Sequence, residues 1–174
     1  MNDLVATVQD EISAVLARTD RARLEAAVAE LDAAQRVFVA GAGRSGFMAS
    51  AFAMRLVHLG SRAHVVGEAT APAMTTGDAL VAVSGSGTTP GTVRAAEVAR
   101  AAGGRVLAVT TDPSSPLAAG AHGVVHVPAA TKHRRAGEAG TAQPLSSLID
   151  QCAHLAELRR IDNAAAKQAH VTTE

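Results

Sequence analysis

Five short runs rich in β-forming residues, Arg36 to Ala40, Ala63 to Val66, Ala79 to Ser84, Arg105 to Thr110 and Gly123 to Pro128, are apolar almost without interruption. A strand with one wet face alternates apolar and polar residues, whereas a continuously apolar run needs cover on both faces, as parallel strands between helical layers have. The segments between the runs supply that cover. Alanine-rich stretches predict helices from about 45 to 59, stopped by Gly60, and from about 90 to 102, stopped by Gly103 and Gly104, with a short turn near 115 to 119. The expected fold class is therefore α/β, a three-layer sandwich with a five-stranded parallel sheet flanked by helices in a Rossmann-like arrangement.

Two further helices precede the first strand. Residues 3 to 17 and 21 to 34 carry apolar side chains at helical spacing, and Thr19-Asp20 between them reads as a cap. At 174 residues the chain fits one domain. The expected layout is a single unit over 1–174, with helices in 1–34, the α/β core in 35–128, a charged, glycine-containing loop over 129–142, and a last helix and tail in 143–174.

Sixteen basic and sixteen acidic residues balance, and three Phe are the only aromatics among Phe, Tyr and Trp. Neither a broad basic field nor stacking platforms for bases are present, so no nucleic-acid partner is expected. No stretch approaches the roughly 18 apolar residues of a membrane span, so no membrane partner is expected either. The single Cys152 cannot form an internal disulfide, and the N-terminus has no basic segment before its apolar positions, which points to a reduced, cytoplasmic setting.

Two glycine loops follow strands. The first, Gly41-Ala42-Gly43-Arg44-Ser45-Gly46, is a literal G-x-G-x-x-G, and Glu68 follows the second strand where a ribose-binding carboxylate would sit, so a dinucleotide-binding domain is one reading. Arg44 and Ser45 inside the turn fit a small polar ligand better, and glycines that merely permit a tight turn are the bland alternative. The second loop, Ser84-Gly85-Ser86-Gly87-Thr88-Thr89, sets four hydroxyls around two glycines and leads into Pro90 at a helix start. Inward N–H groups, hydroxyl donors and a helix N-terminus make an anion cradle. Without a lysine, and with too short a span for a nucleoside triphosphate loop, it suits a phosphate monoester. A plain helix cap is the alternative there.

At these residues the chain resembles the sugar isomerase (SIS) family, and within it the 6-phospho-3-hexuloisomerases. The resemblance rests on Val37 to Gly46, Ala53-Met54-Arg55-Leu56-Val57-His58-Leu59-Gly60, Val65 to Glu68, Ser84 to Thr89 and Thr110 to Ala118, of which the Met-Arg-Leu-x-His-x-Gly segment is the most specific. It implies interconversion of D-arabino-hex-3-ulose 6-phosphate and D-fructose 6-phosphate, a step of the ribulose monophosphate pathway of formaldehyde fixation, without metal or organic cofactor and in a homo-oligomer, often a tetramer. Where the family's last helix reads Ser-Leu-Phe-Glu-Gln, this chain has Ser147-Leu148-Ile149-Asp150-Gln151, an aspartate one methylene shorter. Its C-terminus keeps His170 from the family's Arg-His-Ala-Asn-Leu-Glu.

Moving a carbonyl between C3 and C2 needs a base for a carbon-bound proton, a polariser at the oxygens and a grip on the phosphate. Asp150 is the first choice of base, by its match to the family glutamate, and Glu68 the second. His58 and His170 are acid or polarising candidates. Gly43, Arg44, Ser45, Ser84, Gly85, Ser86, Gly87, Thr88 and Thr89, with Arg55, are the expected substrate-binding set. A non-catalytic module that senses a sugar phosphate is the alternative from another class.

Overall fold

The computed structural model describes residues 4–131. The element order is α1 (Leu4–Arg18), α2 (Arg21–Ala33), β1 (Val37–Gly41), α3 (Arg44–His58), β2 (Ala63–Val65), β3 (Ala79–Val83), α4 (Pro90–Ala101), β4 (Arg105–Thr110), α5 (Pro116–Ala119) and β5 (Gly123–His126). All five strands pair in parallel, in the order β2-β1-β3-β4-β5. The expected five-stranded parallel sheet between helical layers is what forms. The helix expected from 143 lies outside the described residues.

Both faces of the sheet are buried, as the unbroken apolar runs require. Val37, Val39, Val81, Val83, Leu107 and Val109 face one core with Leu24 and Leu31 from α2 and Phe52 and Leu56 from α3. Phe38, Leu80 and Val106 face the other, under Ala96, Ala99 and Leu117 of α4 and α5. In that second core Ala40, Ala82 and Ala108 lie side by side across β1, β3 and β4. Three methyl groups in a row let α4 approach the sheet closely near the strand ends from which its loop departs.

Element ends fall within a residue or two of the sequence expectation. Arg36 stands just outside β1 instead of opening it, since its guanidinium grips the buried carboxylate of Asp78 with Nε and Nη2 at 2.9 and 2.6 Å. The Thr75 N–H and hydroxyl donate to the same carboxylate at 2.7 and 3.2 Å. This cluster closes the N-terminal edge of the sheet, opposite the glycine loops. Burial alone would raise the Asp78 pKa, but the hydrogen bonds from Arg36 and Thr75 outweigh it and hold the carboxyl below its ordinary value.

Candidate functional site

The order in which strands are added reverses between β1 and β3: β2 lies on one side of β1, after which the chain crosses to start β3 on the other. Open parallel sheets bind ligands at such a switch point, beyond the carboxyl ends of the strands. Gly41 and Val83 are register partners, so the two glycine loops leave adjacent strands at the same level and flank one crevice. The two loops expected at strand ends thus stand side by side at the carboxyl ends of β1 and β3.

In the first loop each glycine has its own reason. A Cβ on Gly41 would come within 2.8 Å of the Ser45 backbone, and one on Gly46 within 3.0 Å of the Gly41 carbonyl, so α3 can start against β1 only without those side chains. Gly43 caps α3 at a φ of 58°, a left-handed conformation that glycine adopts without penalty. Arg44 is exposed and Ser45 half-buried at the helix start.

Side-chain caps are distributed unevenly. Asp20 accepts from the first turn of α2 and Ser115 from that of α5, whereas α3 and α4 begin at Gly43 and Thr89 with no side-chain cap. Of α2 to α5, the two helices at the crevice are the two whose N-cap residue makes no side-chain bond, and a helix N-terminus with its dipole favours an anion.

The hydroxyls of the second loop bond one another. Ser84 is buried, its Oγ 2.9 Å from Thr89 Oγ1 and accepting from the Gly87 N–H at 3.1 Å. Thr88 donates to Ser86 Oγ through its hydroxyl at 2.9 Å and its N–H at 3.3 Å. Ser86 and Thr88 are exposed, while Ser84 and Thr89 brace the loop from below. The four hydroxyls therefore divide into two that are exposed and two that set the loop's shape.

A third segment, from Thr110 at the end of β4 to Leu117 in α5, grips this loop, and residue chemistry alone had assigned it no role. The Gly85 carbonyl accepts from Thr110 and Thr111, and the Gly87 carbonyl from the Leu117 N–H at 3.1 Å. The signal available was a second hydroxyl-rich stretch at a strand end.

The remaining candidates are not brought together. Arg55 and His58 lie in the last turn of α3, so roughly 20 Å of helix separates His58 from the loop at Gly43, at 1.5 Å per residue. Glu68 is exposed after β2, on the wall of an open cleft of about 680 Å³ that runs along α4 past Arg94 and Val98. Asp150 and His170 lie outside the described residues. Among the described residues no three His, Cys, Asp or Glu side chains converge as a metal site requires, and no helix is long and apolar enough to cross a membrane.

Known proteins share this architecture. The chain is 47% identical over 128 residues to the 3-hexulose-6-phosphate isomerase of Mycobacterium gastri, a match covering 74% of this chain and 64% of that protein. To the protein of the same name from Bacillus subtilis it is 41% identical over 116 residues, covering 67% and 63%. The match thus spans less than two thirds of these relatives. A crystal structure of a hypothetical protein superposes with a TM-score of 0.76 at 34% identity, over 95% of this chain and 88% of the other. A hypothetical protein from Methanococcus jannaschii, whose structure was read as inferring 3-hexulose-6-phosphate isomerase function, gives a TM-score of 0.78 at 23% identity over 95% and 90%, a likeness of fold. The SIS domain model matches residues 30–156, from the last turn of α2 through every strand and both glycine loops, and the chain belongs to the SIS domain family.

Proposed function

We propose that this chain is a sugar-phosphate isomerase that interconverts D-arabino-hex-3-ulose 6-phosphate and D-fructose 6-phosphate. One observation carries the reading: in a chain 47% identical to a 3-hexulose-6-phosphate isomerase, α3 and α4, whose N-cap residues make no side-chain bond, both start at the switch point of the sheet. The phosphate sits there, held by Ser86, Thr88 and the loop N–H groups, with Ser45 and Arg44 at its other side. Its role is positioning, since a phosphate three carbons from the reacting centre does no proton chemistry.

The reaction runs through an enediol. A base removes the C2 proton of the 3-hexulose while the C3 oxygen gains a proton; the O2 proton then leaves as C3 is reprotonated, giving the 2-ketose with no net change in atoms or charge. Asp150 is the proposed base, with Glu68 second, and His170 a further acid. The buffer-free step needs no resident metal or organic cofactor. We place it in the cytoplasm, downstream of formaldehyde fixation, since phosphorylated sugars are retained there.

Incubation of the chain with hexulose phosphate, made from formaldehyde and ribulose 5-phosphate, is expected to yield fructose 6-phosphate in a coupled assay. Asp150→Asn is expected to lower kcat by at least about 10²-fold, as loss of a general base does, while fructose 6-phosphate still binds. Unchanged turnover would reject Asp150 as base. Binding by the parent chain without turnover would assign a sensing role instead, and NAD(H) binding without sugar-phosphate binding would restore the dinucleotide reading.

A second copy completes the proposed site. His58 is some 20 Å of helix from its own cradle, and the same helix exposes Phe47, Met54 and Val57, an apolar stripe of a kind that marks association surfaces. We propose that α3 packs against another copy in a homo-oligomer, which delivers His58 and Arg55 to a neighbour's substrate. Mixing inactive His58→Ala and Gly87→Ala chains should then recover part of the activity, since some hybrid sites hold both intact residues. Two variants that stay inactive after co-refolding would reject the delivery of His58 to a neighbour's site.

A further inference from the structure

The Gly85–Ser86 peptide is held from one side. Its carbonyl oxygen accepts from the Thr111 N–H at 3.1 Å, from Thr111 Oγ1 at 2.8 Å and from Thr110 Oγ1 at 3.2 Å. Both threonines are buried at the end of β4. The Thr111 carbonyl in turn lies 3.2 Å from Nε2 of His126, the last residue of β5 and the register partner of Thr110. A carbonyl can only accept, so the imidazole donates through Nε2–H. One line of hydrogen bonds thus ties the carboxyl ends of β5, β4 and β3, running from His126 to Thr111 to Gly85.

Planarity gives that line its meaning. In a trans peptide the C=O and N–H vectors point in opposite directions. The Gly85 carbonyl is turned toward β4, and the sheet order places β1 on the other side of β3. The N–H of Ser86, in the same plane, is therefore turned toward β1 and the crevice between the two glycine loops. It makes no hydrogen bond among the described residues. Three donors on one carbonyl also polarise the peptide and strengthen its N–H as a donor. Were the peptide to flip, the crevice would face a carbonyl oxygen, and attraction for a phosphate dianion would become repulsion. With glycine at one end, the peptide itself offers little resistance to a flip, and the restraint must come from outside the loop.

We infer that Thr111 and His126, neither of which lines the crevice, are positioning residues that hold the Gly85–Ser86 peptide with its N–H toward the substrate's phosphate. The inference rests on the phosphate reading of the crevice given above. His126 acts at one remove: it fixes the Thr111 carbonyl, and with it the direction from which Thr111 grips Gly85. Its place two strands from β3, about 10 Å at the usual strand spacing, keeps it from touching the ligand itself.

The test measures fructose 6-phosphate affinity by titration calorimetry, with steady-state KM and kcat, for the full chain and three variants. His126→Leu removes the donor. His126→Gln restores an N–H near the position of Nε2. Thr111→Val removes the hydroxyl while keeping the shape. His126→Leu and Thr111→Val are expected to weaken binding and raise KM about tenfold, the usual effect of one well-placed hydrogen bond, with kcat within about twofold and with recovery in His126→Gln. A merely structural role would lower the melting temperature and kcat together and show no selective rescue by glutamine. If His126→Leu does not fold, Thr111→Val and His126→Gln carry the comparison. Parent-like affinity in the folded variants overturns the inference and leaves the phosphate reading standing. A parent chain that binds no phosphate ester overturns that reading, and the inference falls with it.

Discussion

Gly87→Ala is expected to abolish phosphate-ester binding, with affinity for fructose 6-phosphate falling by more than about 10²-fold in calorimetry. Two independent costs act at this position. Gly87 has a φ of 64°, where an L-residue with a Cβ is strained by about 1–2 kcal/mol. A Cβ there would also collide with the Ser115 side chain and come within 3.0 Å of Thr110 Oγ1. Ser115 cannot step aside cheaply, because it is buried, caps α5 and donates to the Asp112 carbonyl at 2.7 Å. The loop must give way instead, and with it the bonds from Gly87 N–H to Ser84 and from Leu117 N–H to the Gly87 carbonyl. Gly43→Ala is the control: its φ of 58° carries the same kind of strain, yet open space surrounds the new methyl group. Its effect on affinity should be much smaller, and equal losses in the two variants would show that steric contact with Ser115 is not what matters.

Arg36→Leu should be the most destabilising single change at the opposite edge of the sheet, lowering the thermal midpoint by roughly 10 °C. The Asp78 side chain is fully buried while Arg36 retains 22% of its exposure, so the two halves of the pair are not equivalent. Removing Arg36 leaves a buried carboxylate with Thr75 as its remaining donor residue; removing Asp78 leaves a guanidinium that water can reach. Asp78→Asn should therefore cost less than Arg36→Leu. The pH dependence follows from the lowered pKa of Asp78. A carboxyl that ionises more readily folded than unfolded contributes stability that is present above the unfolded value, about 3.9, and is lost as pH falls through the folded value. The gap in midpoint between the parent chain and Asp78→Asn should thus be full at neutral pH and shrink only below about pH 4. A gap that is unchanged down to pH 2, or a larger loss for Asp78→Asn than for Arg36→Leu, would contradict this account.

Much of this architecture was legible because burial on both faces leaves an unmistakable trace: each unbroken apolar run became a parallel strand. The loops were legible as strand ends rich in glycine, and their convergence followed from the fold class. What was not legible depended on partners far apart in sequence. Arg36 reads as the first residue of a strand until Asp78, 42 residues on, is seen to hold it. Ser84 and Ser86 read alike in the sequence, because composition cannot distinguish a buried hydroxyl that braces the loop from an exposed one. Thr111 reads only as one residue of the run Thr110 to Ala118 and His126 as a strand end, since the bond between them is met across strands. His58 is a different matter. A helix that opens at the first glycine loop must end about 20 Å from it, so its separation from that loop followed from helix length alone.

The missing side-chain caps on α3 and α4 reach beyond catalysis. Asp20 and Ser115 stabilise their helices at all times, whereas an anion would do this for α3 and α4 only while bound. A ligand that binds the folded chain and not the unfolded one raises stability by an amount that grows with its concentration. In a cell, chains starved of substrate would open more often and be degraded sooner than occupied ones. The abundance of the protein would then follow the supply of sugar phosphate without any dedicated regulator.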